Sequence, residues 1–206
     1  IFTPIYTFMM NTSKFHSNAG QDEFAFKLNN KKTNGFYLEI GCGDPIFENN
    51  TIFLESIGWS GISIDYVQHD YSNRKNKYFK ENALEISYKH FLRENNTPKI
   101  IDYLSLDIDL STTDCLSRLP LNEYTFKVIT IEHDAYRYGD GPRSAQRKIL
   151  TNAGYYLLCA DVTTPPLFEN QYFEDWWVHP SYINIYNFKH LTCEKEQSKN
   201  IRTKLS

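Results

Sequence analysis

The sequence predicts a single α/β domain, a mostly parallel seven-stranded sheet with helices on both faces. Three observations lead there. Apolar runs with strand character alternate with helical stretches, which implies parallel strands joined by right-handed crossovers. Several of those runs are continuous rather than alternating, as strands covered on both faces require. No Pro/Gly/Ser linker, internal repeat or low-complexity block divides the 206 residues. That length suits one domain burying roughly two-thirds or more of its unfolded surface.

Taken in order, residues 1–34 read as an N-terminal arm or lid. Its start, I-F-T-P-I-Y-T-F-M-M, is apolar but too short to span a bilayer, and it lacks a basic flank. It is expected to pack on the domain rather than to anchor it to a membrane. Gln21 and Asp22 suit helix capping or, in a segment laid over the site, a ligand contact. Strands are expected at 36–41, 61–65, 78–79, 100–106, 128–132, 155–161 and 182–188. Residues 50–57, 84–93, 113–119 and 143–151 read as helices, and Asn152-Ala153-Gly154 gives the last a glycine stop. The domain proper covers 35–192. The tail, 193–206, is polar and Lys-rich and is expected to fray.

Composition excludes several classes. The formal charge of −3 comes with no Lys/Arg cluster, so no basic field invites nucleic acid. The 15 Tyr and 14 Phe are the kind of residue that fills cores. Cys42, Cys115, Cys159 and Cys193 lie far apart with no CxxC pair, which removes zinc-ribbon and disulfide-framework readings and suits reduced thiols in a cytoplasmic protein. N-x-[ST] triplets open at Asn11, Asn49 and Asn95. In so Asn-rich a chain they read as chance, and Asn49 beside a glycine turn is a poor place for a glycan.

Ligands of open α/β sheets bind beyond the carboxyl ends of the strands. The first strand runs into G-F-Y-L-E-I-G-C-G at 35–43, and the second, G-I-S-I-D, closes on Asp65. Gly41 and Gly43 permit a sharp turn and a close approach to a ligand with no Cβ in the way. A dinucleotide fingerprint would place a third glycine at position 46, where a pyrophosphate lies over a helix N-terminus. Here that residue is Ile46, and Asp44 nearby would repel a diphosphate. The P-loop pattern is absent. A cofactor with no phosphate and a positive centre fits better, and S-adenosylmethionine is such a molecule.

The E-I-G-C-G turn, with an acidic residue ending the second strand, resembles the motif of class I S-adenosylmethionine-dependent methyltransferases, whose fold is Rossmann-like. The resemblance implies that Glu39, Gly41 and Gly43 line the amino acid and ribose region, with Cys42 a small spacer in the turn. Asp65, followed by Tyr66, would accept hydrogen bonds from the ribose hydroxyls. Asn82 and Ala83 match the position that meets adenine, and Asn50 and Asp107 complete the expected cofactor set.

A closer likeness runs over 17–162. S-N-A-G-Q-D-E-F at 17–24, N-N-T-I-F-L-E at 49–55, G-W-S-G-I at 58–62, D-Y-L-S-L-D-I-D at 102–109, I-E-H-D at 131–134 and G-Y at 154–155 are similar to FkbM-type methyltransferases. That family implies O-methylation of hydroxyls on sugars, polyketides or similar small molecules. Two departures stand out. Asp44-Pro45 replaces the usual Ala or Asn with a later Gly, and Asp65-Tyr66 replaces Glu-Pro.

Methyl transfer to an alcohol needs alignment and a base. His133, after the fifth strand, is the candidate base, with Glu132 and Asp109 as its catalytic companions. Asp134 could orient the ring or hold substrate. Asp107, Asp109, Glu132, His133 and Asp134 form an acidic cluster that suits hydrogen bonding to substrate and to the cofactor's ammonium. A divalent metal chelating vicinal hydroxyls is the less favoured reading. Trp176 and Trp177, in E-D-W-W-V-H-P, are candidates for sugar stacking or for the core, and Tyr136 and Arg137 for acceptor contacts. The expected function is O-methylation of a small hydroxylated, sugar-like acceptor. The alternatives are a non-catalytic cofactor-binding module and a nicotinamide-dependent oxidoreductase or epimerase.

Overall fold

A computed structural model describes residues 15–164 and 171–205. Its sheet is made of β1 (Phe36–Ile40), β2 (Ser60–Asp65), β3 (Lys77–Lys80), β4 (Ile100–Leu106), β5 (Thr125–Glu132), β6 (Tyr156–Val162), β7 (Glu174–Val178) and β8 (Cys193–Glu194). The strand order is β3-β2-β1-β4-β5-β7-β6-β8. Pairings are parallel except those of β7, which runs antiparallel between β5 and β6. The first five strands follow the 3-2-1-4-5 order of doubly wound nucleotide-binding sheets. The fold is therefore α/β and Rossmann-like in this general sense.

The helices are α1 (Gln21–Leu28), α2 (Ile52–Ser56), α3 (Tyr88–Glu94), α4 (Thr112–Arg118), α5 (Ala135–Tyr138), α6 (Asp140–Asn152) and α7 (Ser198–Lys204). Two cores explain where they lie. One packs Leu38, Ile40, Ile62 and Leu104 of the sheet against Leu92 of α3, Leu116 of α4 and Leu150 of α6. The other packs Tyr37, Tyr103 and Val128 against Phe24 of α1, Leu54 of α2 and Ile201 of α7. Strand alternation sends successive side chains into opposite cores, and the adjacent tryptophans follow that rule. Trp176 enters one core and Trp177 the other, at 0% and 1% exposure. Neither is free to stack on a sugar. Truncating either to Ala would cost about 3–5 kcal/mol.

Four expectations are corrected. Residues 182–188 are not a strand: Ile185–Leu191 forms a 3-10 helix whose cap, Asn184, accepts from the Tyr186 amide at 3.1 Å. The seventh strand is instead β7, whose acidic start, Glu174-Asp175, hides a fully buried segment. Among the described residues the sheet has eight strands, not seven, because the expected polar tail supplies β8. The rest of that tail forms α7, held by buried Ile201 and Leu205 and by an Arg202–Glu23 ion pair at 2.8 Å. Nor is the described part of the arm a lid. Helix α1 is an integral layer, with Phe24, Ala25 and Leu28 buried. The Asp22 carboxylate accepts from the amides of His16, Ser17 and Glu23 at 2.7, 3.3 and 2.8 Å, which ties down the chain entering α1. The apolar start, 1–10, and Asn11 lie outside the described residues.

All four cysteines are free thiols. Among the described residues no helix is long and apolar enough to cross a membrane. Asn49 is 2% exposed, and its amide donates to the Cys42 carbonyl at 3.0 Å, so its triplet has a structural use.

Candidate functional site

Strand register brings the site together. Ile40 pairs with Ile64 and with Leu106, and Leu106 pairs with Ile131. Gly41, Asp65, Asp107 and Glu132 therefore leave the sheet at one level, beside the β1/β4 switch point where the strand order reverses.

Gly41 has φ +81°, and a Cβ there would collide with the Asp107 carbonyl oxygen. The close approach of β1's end to β4's end thus demands glycine. Gly43, at φ +55°, faces open space. Its amide donates to Asp65 Oδ2 at 2.9 Å, and Asp65 Oδ1 accepts from the Val67 amide at 2.8 Å. Asp44 accepts from the amides of Ile46 and Phe47 at 2.8 and 2.7 Å and so closes the loop after the turn.

Beneath the turn lies a buried polar layer. Glu39, 1% exposed, accepts from the hydroxyls of Thr51 and Ser63, each at 2.8 Å. Burial raises its pKa against the pull of Arg74 and of these hydroxyls. Arg74 donates to Glu55 at 3.1 Å, the Pro45 carbonyl at 2.8 Å and Thr51 Oγ1 at 2.9 Å. Arg74, Thr51 and Glu55 were not singled out by sequence reasoning. An arginine buried far along the chain carries no local signal of the loop it supports.

The principal cleft has a volume of about 590 Å³. Its wall includes Gly41, Gly43, Asp65 and Tyr66 from β1 and β2, Asn82 and Ala83 after β3, and Asp107 and Asp109 after β4. Eight of the thirteen expected site residues thus meet in one cavity. Glu39 and Cys42 are not on its wall: the first supports the turn from below and the second is 5% exposed, its thiol pushed up by burial. Asn82 reaches the cleft, but its side chain is occupied locally. It donates to Glu85 at 2.9 Å and accepts from the Leu84 amide at 3.0 Å. Among the described residues, no Lys, Arg or His lines this cleft, whereas Asp65, Glu81, Asp107 and Asp109 do.

A second cavity of about 210 Å³ adjoins it and shares Asp107. Glu132, Asp134, Glu48 and Tyr136 line it, with Gln21 of α1 and Asn50. Asn50 thus stands here rather than in the principal cleft, donating to Ser105 Oγ at 2.9 Å. Gln21 is held by Glu174, to which it donates at 3.2 Å.

Four carboxylates cluster where the cavities meet. Asp107 is exposed onto both cavities, and the packing beside its carboxylate together with the Asp109 and Asp134 charges raises its pKa. Burial and the Asp107 charge push Glu132 up to about 11. The Asp107–Glu132 pair therefore holds one proton at neutral pH. Arg137 approaches Asp109 and Asp134 at 3.3 Å each. Carboxylate oxygens of Asp109, Glu132 and Asp134 lie within 4.8 Å of one another. That spacing could accept a divalent cation, but Arg137 already serves two of the three.

His133 is placed elsewhere. Its side chain is fully buried, with Nε2 at 3.5 Å from Asp161 and 3.6 Å from Asp175. Nδ1 accepts from the Ala135 amide at 3.1 Å. Burial would lower its pKa, but the two aspartates raise it above the usual value. Arg143 and Arg147 close the network, at 2.7 and 3.0 Å from Asp161, and Arg147 lies 2.8 Å from Asp175. The expected base thus faces away from both cavities. Strand alternation in I-E-H-D sends Glu132 to the cavity and the imidazole into the protein.

A comparison with models of known protein families finds none that matches the chain, and a comparison with curated proteins finds none either.

Proposed function

We propose that the protein is an S-adenosylmethionine-dependent methyltransferase acting on a hydroxyl of a small acceptor. The observation that carries this reading is the 590 Å³ cleft at the switch point, lined by acidic residues and by no basic one among those described. A dinucleotide or nucleoside triphosphate needs cations for its phosphates, and none lines the cleft; the one α-helix start among the lining residues, at Ser111 before α4, stands beside Asp107 and Asp109. A cationic, phosphate-free cofactor fits that electrostatics.

When bound, S-adenosylmethionine supplies a methyl group activated as a sulfonium. Asp65 keeps lone pairs for two ribose hydroxyls beyond those used by Gly43 and Val67. With the Asn82 side chain, the Leu84 amide and the Ala83 carbonyl all engaged, the Ala83 amide and the Leu84 carbonyl are left to meet the adenine edge. Asp107 and Glu132 replace His133 as the proton acceptor. A pair sharing one proton keeps one free carboxylate to take a proton from the acceptor hydroxyl. A nicotinamide dinucleotide is the weaker reading, since Ile46 and Asp44 offer its pyrophosphate no seat.

The test is incubation with methyl-labelled S-adenosylmethionine and a panel of polyols, sugars and phenols, followed by mass spectrometry. A product heavier by one methyl group on oxygen is expected. Cofactor binding with no labelled product across the panel would favour a non-catalytic module.

A further inference from the structure

The second cavity joins the cofactor cleft at Asp107, and its polar wall is unbalanced. Glu48, Asp107, Glu132 and Asp134 line it, and among the described residues no Lys, Arg or His does. Arg137 neutralises Asp134 from outside that wall. Donors stand on the same wall, on Asn18, Tyr136 and Thr164, yet they leave buried oxygens unserved. Asp134 is 2% exposed, yet its Oδ1 is buried without a donor, as are Glu132 Oε2 and Asn50 Oδ1. A single proton on Glu132 can serve Asp107 or Asp134, never both. At least one of these buried oxygens is therefore left without a donor from the protein, which is unfavourable.

We infer that this cavity binds the methyl acceptor through a protonated amine, so that the acceptor is a compact amino-hydroxy compound. An ammonium carries three donors in a small volume. It matches the buried oxygens left without a donor and the surplus negative charge together. At about 210 Å³ the space is below the roughly 300–1,000 Å³ of drug-sized sites and suits a single ring. Phosphorylated and carboxylated acceptors are rejected by like charge. A divalent cation is the competing occupant, disfavoured by Arg137 on Asp109 and Asp134.

The inference rests on the methyltransferase reading for calling the ligand an acceptor, but amine recognition can be measured without catalysis. The full chain, saturated with S-adenosylhomocysteine, is titrated with D-glucosamine, D-glucose and D-glucose 6-phosphate and followed by ligand-observed NMR. Glucosamine should bind at least tenfold more tightly than glucose, and the 6-phosphate least. D134N should abolish that preference while binding of S-adenosylhomocysteine shows that it remains folded. Equal affinity for glucosamine and glucose, or preference for the phosphate, overturns the inference. So does Mn²⁺ that binds stoichiometrically and expels glucosamine. A glucosamine preference in a protein that fails to bind S-adenosylhomocysteine at any concentration tried upholds the amine site and contradicts the methyltransferase reading instead.

Discussion

The Gly43 amide donates to Asp65 Oδ2 across 2.9 Å. The carboxylate ending β2 therefore shapes the turn after β1 as well as facing the cleft. Asp65→Ala removes both contributions. Affinity for S-adenosylhomocysteine should fall roughly 10–100-fold, the equivalent of one or two hydrogen bonds to a charged group. Calorimetry on the folded variant reads this, and an unchanged affinity would remove Asp65 from the cofactor site.

The two turn glycines should separate folding from binding. Gly41→Ala forces a Cβ onto the Asp107 carbonyl oxygen at positive φ, and a loss of more than about 2 kcal/mol in urea unfolding is expected. Gly43→Ala meets no atom within 4 Å. It should cost only about 1–2 kcal/mol of left-handed strain, yet weaken cofactor binding by filling the cleft.

His133 and Glu132 are neighbours in different surroundings, the first buried against Asp161 and Asp175 and the second on the wall of the smaller cavity. Glu132→Gln should lower methyl transfer by roughly 10²-fold or more, the usual share of a general base, with little change in Tm. His133→Gln leaves Asp161 and Asp175 with fewer donors and should cost about 3–5 kcal/mol of stability. Its activity per folded molecule should stay within about fivefold of the parent. The reverse pattern would restore the imidazole as base.

Stability should be greater in mild acid than in mild alkali. Burial and the Asp107 charge hold Glu174 up at about 8, above its usual 4.5. Between those values the folded state keeps a proton that the unfolded chain has released, so stability falls as pH rises. Raised Glu132 acts in the same sense. His133, also raised, adds stability that is lost as pH climbs through its folded pKa. On the acid side Asp161 and Asp175 are lowered by His133 and the arginines, and their contribution disappears as pH drops below about 4. Calorimetric Tm should be on the order of 3–8 °C higher at pH 5.5 than at pH 8.5. Glu174→Gln should flatten that slope.

Thiol chemistry gives an independent check of the fold. Cys42, Cys115 and Cys159 are buried, whereas Cys193 on β8 is part-exposed and opposite Cys159. The hydrogen bond from Cys159 lowers the Cys193 pKa. One thiol should react with a disulfide reagent in the native protein, and all four only after unfolding.

Much of this was legible in the sequence. The continuous apolar runs located β1 to β6, because a strand buried on both faces has no polar alternation to disguise it. The glycine turn and Asp65 were legible because each requirement is local. Strand β7 was not, since Glu174 and Asp175 look solvated until Gln21, Trp176 and Arg147 supply their partners. The tail's Ile201 and Leu205 make only a weak helical signal among charged residues. His133 was misassigned for a related reason. Strand-end position says which residues can face a cleft, but one residue of register decides which of two neighbours does.

The most direct measurement is a calorimetric titration of the purified protein with S-adenosylhomocysteine, repeated with NAD. One-to-one binding of S-adenosylhomocysteine, weakened by Asp65→Ala, with no heat from NAD, is the expected result. No binding of either S-adenosylhomocysteine or S-adenosylmethionine, or tighter binding of NAD, would contradict the assignment of the cleft.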